Sequence, residues 1–160
     1  MFRELAPVVS LAKEIDRCIL SEEEIADDAS NGLRSVRRAM KTAAEKIRTQ
    51  LNSLVVNSRT YLQDGVITMR NGRYCVPVKA EHKSNVPGMV HDQSSSGSTI
   101  FVEPLSVVKL NNELRELEIR EQKEIEAVLA ALSNQTCDHL DELTPVSYTH
   151  LRAHETSAHL

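Results

Sequence analysis

The hydrophobic period of this chain changes twice, and that change limits its fold more than any other feature. Apolar residues recur every three or four positions at Leu33, Val36, Met40, Ala43, Ile47, Leu51 and Leu54. That is the spacing of one helix face. After Asp64 the period drops to two. Val66, Thr68 and Arg70 alternate with Ile67 and Met69, and Tyr74, Val76 and Val78 alternate with Cys75, Pro77 and Lys79. Strands have this spacing, because their side chains point to alternate faces. Helical spacing returns at Val107, Leu110, Leu114 and Leu117 and continues through Ile125, Val128 and Leu132. A helical chain that stops to make one small sheet and then resumes implies a sheet at the end of an arm. Such a shape suits reach and clamping rather than enclosure of a pocket.

The spacing predicts a first helix over 3–16 and a long helix over 30–62, with Ser30 or Asp28 as its cap. A returning helix follows over 104–134, with Pro104 at its first turn. Each long helix would measure ~45 Å. Asn71-Gly72 reads as a two-residue hairpin turn, since both residues tolerate positive φ. Pro77 has no N–H to give a ladder, so it reads as an open sheet edge. Residues 85–90 and 98–102 read as two further strands, and HDQSSSG (91–97) as a mobile polar loop. The first long helix ends where the insert begins, and the second starts where it ends, so the two are expected antiparallel. The expected fold class is α+β, mainly α: long antiparallel lever-like helices with a small antiparallel, clamp-like β-sheet inserted between them. Its parts are 1–63 (helical), 64–103 (β-rich insert), 104–144 (returning helix and start of the next) and 145–160 (tail).

Charge is unevenly spread over these parts. Residues 1–63 carry ten Lys/Arg and nine Asp/Glu, 65–102 carry four and two, and 103–144 carry four and ten. The insert is therefore mildly basic and the helix after it strongly acidic, so any polyanion is expected at the insert or the helix before it. Aromatic residues make up 3% of the chain with no Trp, which argues against a base-stacking platform. Cys18, Cys75 and Cys137 are odd in number and lack CxxC spacing, which excludes a disulfide framework or zinc ribbon. No apolar run approaches the ~20 residues of a membrane span, and the charged N-terminus does not read as a signal peptide. A reducing cytoplasm is the expected setting.

The candidate nucleic-acid-binding residues are Arg70, Arg73, Lys79 and Lys83, long cations that can neutralise phosphates without reading bases. The other reading is a solvated strand surface, and the residues alone leave both open. Arg34, Arg37, Arg38 and Lys41 form a second basic cluster, read as the outward face of an amphipathic helix. His91, Asp92 and Ser94–Ser96 read as a turn-forming loop rather than a triad, because there is no GxSxG elbow. Cys75, inside a strand, reads as a buried apolar residue. No catalytic residue and no metal ligand is expected.

One resemblance covers roughly residues 1–143. LQDGVITMRNGRYCVPVKAEHKSNVPGMVHDQSSSGSTIFVEP, followed by VVKLNNELRELEIREQKEI, resembles the MutS family. It is most similar to the second bacterial branch, whose members carry an Smr nuclease domain. EIDRCI and DDAS with LRSVR fit the same branch. The resemblance implies a core and lever region with a clamp that approaches DNA (duplex, mismatched or branched). It also implies a homodimeric parent with an ATPase that uses ATP and Mg, then an Smr endonuclease domain. The alternative is a ribosome/rRNA- or protein-binding module of the same parent: action on stalled ribosomes is implied at family level, and the open edge near Pro77 and the acidic helix are the expected partner surface. The chain itself holds no GxxxxGK[ST], and Gly88 and Gly97 lack the following Lys, so neither activity carries over to these residues. The chain reads as a truncated piece, and PVSYTHLRAHETSAHL (145–160) as a non-native read-through tail. In that tail His150 and His154 have helical metal-ligand spacing, but HETSAH has one residue too many for HExxH, and no zinc site is expected.

Overall fold

The computed structural model of the chain describes residues 2–21 and 24–141. Helix α1 spans Phe2–Cys18, α2 Asn31–Asn57 and α3 Leu105–Asp141. Between α2 and α3 lie strands β1 (Thr68–Arg70), β2 (Arg73–Lys79), β3 (Gly88–Gln93) and β4 (Thr99–Pro104). The described chain is thus mainly helical with one small antiparallel sheet, as the two changes of period predict. No helix among the described residues is long and apolar enough to cross a membrane. The tail 145–160, with His150 and His154, lies outside the described residues.

The helix boundaries differ from the expected ones in instructive ways. Ser30 is the cap of α2, its Oγ accepting the N–H of Leu33 at 3.0 Å, and so satisfying a donor the first turn leaves orphaned. The helix ends at Asn57 rather than 62, where a 3-10 turn over Arg59–Tyr61 takes over. Pro104 is the last residue of β4 rather than the first of α3, and α3 runs on past 134 to Asp141.

The chain packs as two compact units, Ser35–Glu121 and the pair of segments Met1–Arg34 and Gln122–Leu160. In the second unit Cys18, Ile25, Leu33, Val128 and Leu132 form a small core. Arg17 bonds Glu14 and the carbonyl of Asp28 at 2.7 Å beside it.

In the unit Ser35–Glu121 the sheet has the order β1-β2-β4-β3, antiparallel throughout. The register sets Val76 opposite Val102 and Val78 opposite Ile100, so these side chains share one face. That face buries against Ile47 and Leu51 of α2 and Val107 and Leu114 of α3, each such side chain contributing about 1.5–3 kcal/mol. The two helices run antiparallel here: Arg37 Nε lies 3.1 Å from Glu121 Oε2, and Leu54 and Leu105 line one cavity near the other end.

Asn71 and Gly72 close the first hairpin at φ 53° and 72°, the mirror-type turn their sequence predicts. Pro77, by contrast, is not an open edge. It is buried, and its carbonyl accepts the N–H of Gln63 at 2.9 Å, while Leu62 bridges Val78. In an antiparallel strand the N and O of one residue point to the same side. The missing N–H of Pro77 therefore faces residues 62–63 and costs the β4 ladder nothing. The expected mobile loop also differs: His91, Asp92 and Gln93 belong to β3, and only Ser94–Ser98 turn. That turn is closed by Ser94 N–H to Thr99 O and Gly97 N–H to Ser94 O, both 2.9 Å.

Candidate nucleic-acid interface

The four cations singled out by sequence fall into two pairs, at opposite ends of β2. Arg70 and Arg73 face each other across the Asn71-Gly72 turn. Lys79 ends β2, and Lys83 follows on the 3-10 helix Ala80–Asn85. The ends of a seven-residue strand lie about 20 Å apart.

Arg73 is committed to a buried carboxylate. Its Nε donates to Glu103 Oε2 at 2.9 Å, and its Nη2 to the same oxygen and to the carbonyl of Val108 at 3.3 Å. Glu103 is 1% exposed. It also accepts from Asn111 Nδ2 at 2.9 Å, and its Oε1 lies 2.6 Å from His91 Nε2. Burial by itself would raise the Glu103 carboxyl. The bonds from Arg73, His91 and Asn111 outweigh it and hold the group below the usual carboxylate range. Asn111 further accepts the N–H of Tyr74 at 3.1 Å and donates to its carbonyl at 3.4 Å. It thus serves as a strand neighbour for β2 where the β4 ladder has ended. Expected as a surface phosphate contact, Arg73 is instead turned inward, with a side chain 16% exposed.

Arg70 is held more loosely. Its guanidinium lies 4.2 Å above the ring of Phe101, with Nε 3.3 Å from Asp92 Oδ2. Asn71 Nδ2 donates to the carbonyl of His91 at 3.0 Å. These contacts join the β1 hairpin to β3, so the sheet curls enough for side chains from its two outer strands to meet, with no ladder between them. A register shift between Val90 and Asp92 makes this possible, since a bulge bends its strand and re-aims the side chains around it.

The side chains of Lys79 and Lys83 have no hydrogen-bond or ion-pair partner among the described residues. Lys79 is half-buried, Lys83 exposed. Beside them the rings of Tyr61 and His82 pack at 5.2 Å between centroids, drawing the two 3-10 helices together. In the second basic cluster Arg37 pairs with Glu121, while Arg38 and Lys41 are exposed on α2.

The residues His91, Asp92 and Ser94–Ser96 do not converge: His91 meets Glu103, Asp92 meets Arg70, and the serines bond within their own turn. Cys75 is fully buried, and burial together with the Glu103 charge pushes its thiol up to about 11, which leaves it unreactive at neutral pH. No group of three or more metal-ligating side chains is gathered among the described residues. The residues that sequence reasoning missed are Glu103, His91 and Asn111. One signal was present: Glu103 closes the apolar run STIFV, and an acid at a strand's inward position must find partners.

No protein-family model matches the chain. It is 61% identical over 137 residues to an endonuclease MutS2 of Agathobacter rectalis, covering 84% of this chain and 17% of that protein. Against endonuclease MutS2 of Lachnospira eligens it is 57% identical over 145 residues, covering 89% and 18%. Against that of Lachnoclostridium phytofermentans it is 58% identical over 135 residues, covering 83% and 17%. The chain thus spans less than a fifth of the length of these curated relatives.

Proposed function

Over the residues shared with these relatives the chain belongs to the MutS2 branch of the MutS family, and on that footing we propose that it is the DNA-engaging core, lever and clamp segment of a longer protein. The observation that carries this reading is the pair Lys79 and Lys83, cations without an anionic partner at one end of the curled sheet. Such groups bind phosphates of either strand without reading sequence. In this reading the segment carries no chemistry of its own. ATP hydrolysis with Mg, and the nucleic-acid cleavage that the relatives' name points to, belong to other parts of the longer protein, a homodimer in the bacterial cytoplasm. The edge at Pro77 is covered by residues 62–63, so a protein-binding reading rests on the acidic helix rather than on that edge.

The test is a salt titration of binding to duplex and to branched DNA by the full 160-residue chain, with ribosomes as a parallel target. Affinity should fall log-linearly with salt, and Lys79→Ala/Lys83→Ala should flatten the slope by about 0.9 per lost contact. An unchanged slope and affinity in that variant would sink the reading. Tight binding to ribosomes with none to DNA would replace it by an rRNA-directed one.

A further inference from the structure

Arg70 and Arg73 sit opposite each other in one hairpin, yet their carboxylate partners differ in kind. The partner of Arg73 is sealed: the Glu103 side chain is 2% exposed and is held by three side chains. The partner of Arg70 is open: the Asp92 side chain is 52% exposed and that of Arg70 is 37% exposed. An exposed pair of this type is weak and is screened by salt.

Arg70 nevertheless has a fixed place. Its guanidinium rests on the Phe101 ring at 4.2 Å, which orients the planar fork without consuming its donors. Of the five N–H groups of an arginine, one on Nη1 reaches the carbonyl of Met69 at 3.1 Å, and Nε faces Asp92 at 3.3 Å. The two on Nη2 and the second on Nη1 have no partner among the described residues. Asp92 is oriented too, its Oδ1 accepting the N–H of Gln93 at 2.8 Å. The result is a stacked arginine that presents unused donors, with one acidic side chain standing where an anion would bind.

We propose that Asp92 is an internal stand-in for phosphate: Arg70 is a preorganised ligand for a backbone phosphodiester of nucleic acid, and the Asp92 carboxylate occupies and neutralises it until a polyanion displaces it. The proposal rests on the nucleic-acid reading above and adds to it a site and its autoinhibitory contact. Glu103 cannot play this part for Arg73, because its displacement would leave a buried charge unpaired. Phosphate therefore gains one arginine of the pair and not the other.

The experiment is a duplex-DNA salt titration of the full chain carrying Asp92→Asn or Glu81→Gln, each with and without Arg70→Ala, beside Arg70→Ala alone. Glu81 is 75% exposed on its side chain and serves as an equal change of charge away from Arg70. Asp92→Asn should tighten binding roughly two- to fivefold, and Arg70→Ala should flatten the salt slope by about 0.9. Adding Arg70→Ala should abolish that gain, whereas Glu81→Gln should confer only a gain indifferent to Arg70. If Asp92→Asn leaves binding unchanged, or its gain survives Arg70→Ala, the proposal is overturned. In either case a continuing loss in Lys79→Ala/Lys83→Ala would keep the broader reading intact. Loss of every effect, Lys79 and Lys83 included, would remove both.

Discussion

Removing Arg73 should be far more damaging than its place on a small surface sheet suggests. Arg73→Ala leaves the Glu103 carboxylate at 1% exposure with Asn111 and His91 as its remaining donors. Breaking one side of a buried pair costs about 3–5 kcal/mol. The two surviving donors favour the lower end, about 3 kcal/mol, which for a chain of this size lowers the melting temperature by roughly 9 °C. Urea unfolding followed by circular dichroism reads the change as a shift of midpoint. A paired variant, Arg73→Met/Glu103→Met, removes both charges at similar volume and should lie within about 1 kcal/mol of the parent. The deficit of Arg73→Ala should also depend on pH. The Glu103 carboxyl is lower in the folded chain than its ordinary value of 4.5, so its stabilisation is complete above that value. It fades as the pH falls through the folded value. The gap between parent and Arg73→Ala should therefore be widest near neutrality and narrow below pH 4.5. An Arg73→Ala cost under about 1 kcal/mol, typical of an exposed pair, would refute this account. So would a double variant less stable than the single one.

Two smaller perturbations probe the frame that carries this site. A Cβ at Gly88 would run into the Glu103 carbonyl and lie 2.8 Å from Val102 Cγ1, so Gly88→Ala must shift β3 from β4. It should cost about 1–3 kcal/mol in urea unfolding and speed amide exchange along β3. Ser30→Ala removes the cap bond to Leu33 and should cost about 1 kcal/mol, seen as faster exchange in the first turn of α2 with the Ile47 and Leu51 amides unchanged.

The parts that local spacing determines were legible in the residues alone: three helices, a hairpin at Asn71-Gly72, and a helix cap narrowed to Ser30 or Asp28. The parts that failed depend on residues distant in the chain. Pro77 reads as an edge until residues 62–63 are known to lie beside it. HDQ reads as loop because its polar side chains hide a strand whose partners, Ile100 and Phe101, are several residues away. Arg73 reads as a surface cation because alternation alone does not tell which face of a sheet curls inward. The same gap hid Asn111, which lies in the polar row of an ordinary amphipathic helix and bonds a strand residue 37 positions earlier.

The curling of the sheet also decides where the charge of the insert resides. Like charges directly opposite on neighbouring strands repel, and separate acids offset that repulsion between Arg70 and Arg73. Asp92 and Glu103 supply them from β3 and β4. Once those pairs form, the basic excess of the insert is no longer spread along it, as composition suggests. It falls on Lys79 and Lys83, against the exposed Glu81. A polyanion approaching the sheet therefore meets uncompensated charge at the Lys79 end first. The Arg70 end offers charge only where the approaching phosphate outcompetes Asp92, so binding there needs close contact rather than long-range attraction, because a neutral pair has almost no field beyond a Debye length. Substitutions at Lys79 and Lys83 should for that reason act mainly on the association rate, as should Asp92→Asn, which uncovers the Arg70 charge, whereas Arg70→Ala in the parent, where that charge is masked, should act mainly on dissociation. Stopped-flow binding would separate the two, and an Arg70→Ala effect confined to the association rate would contradict this order of events.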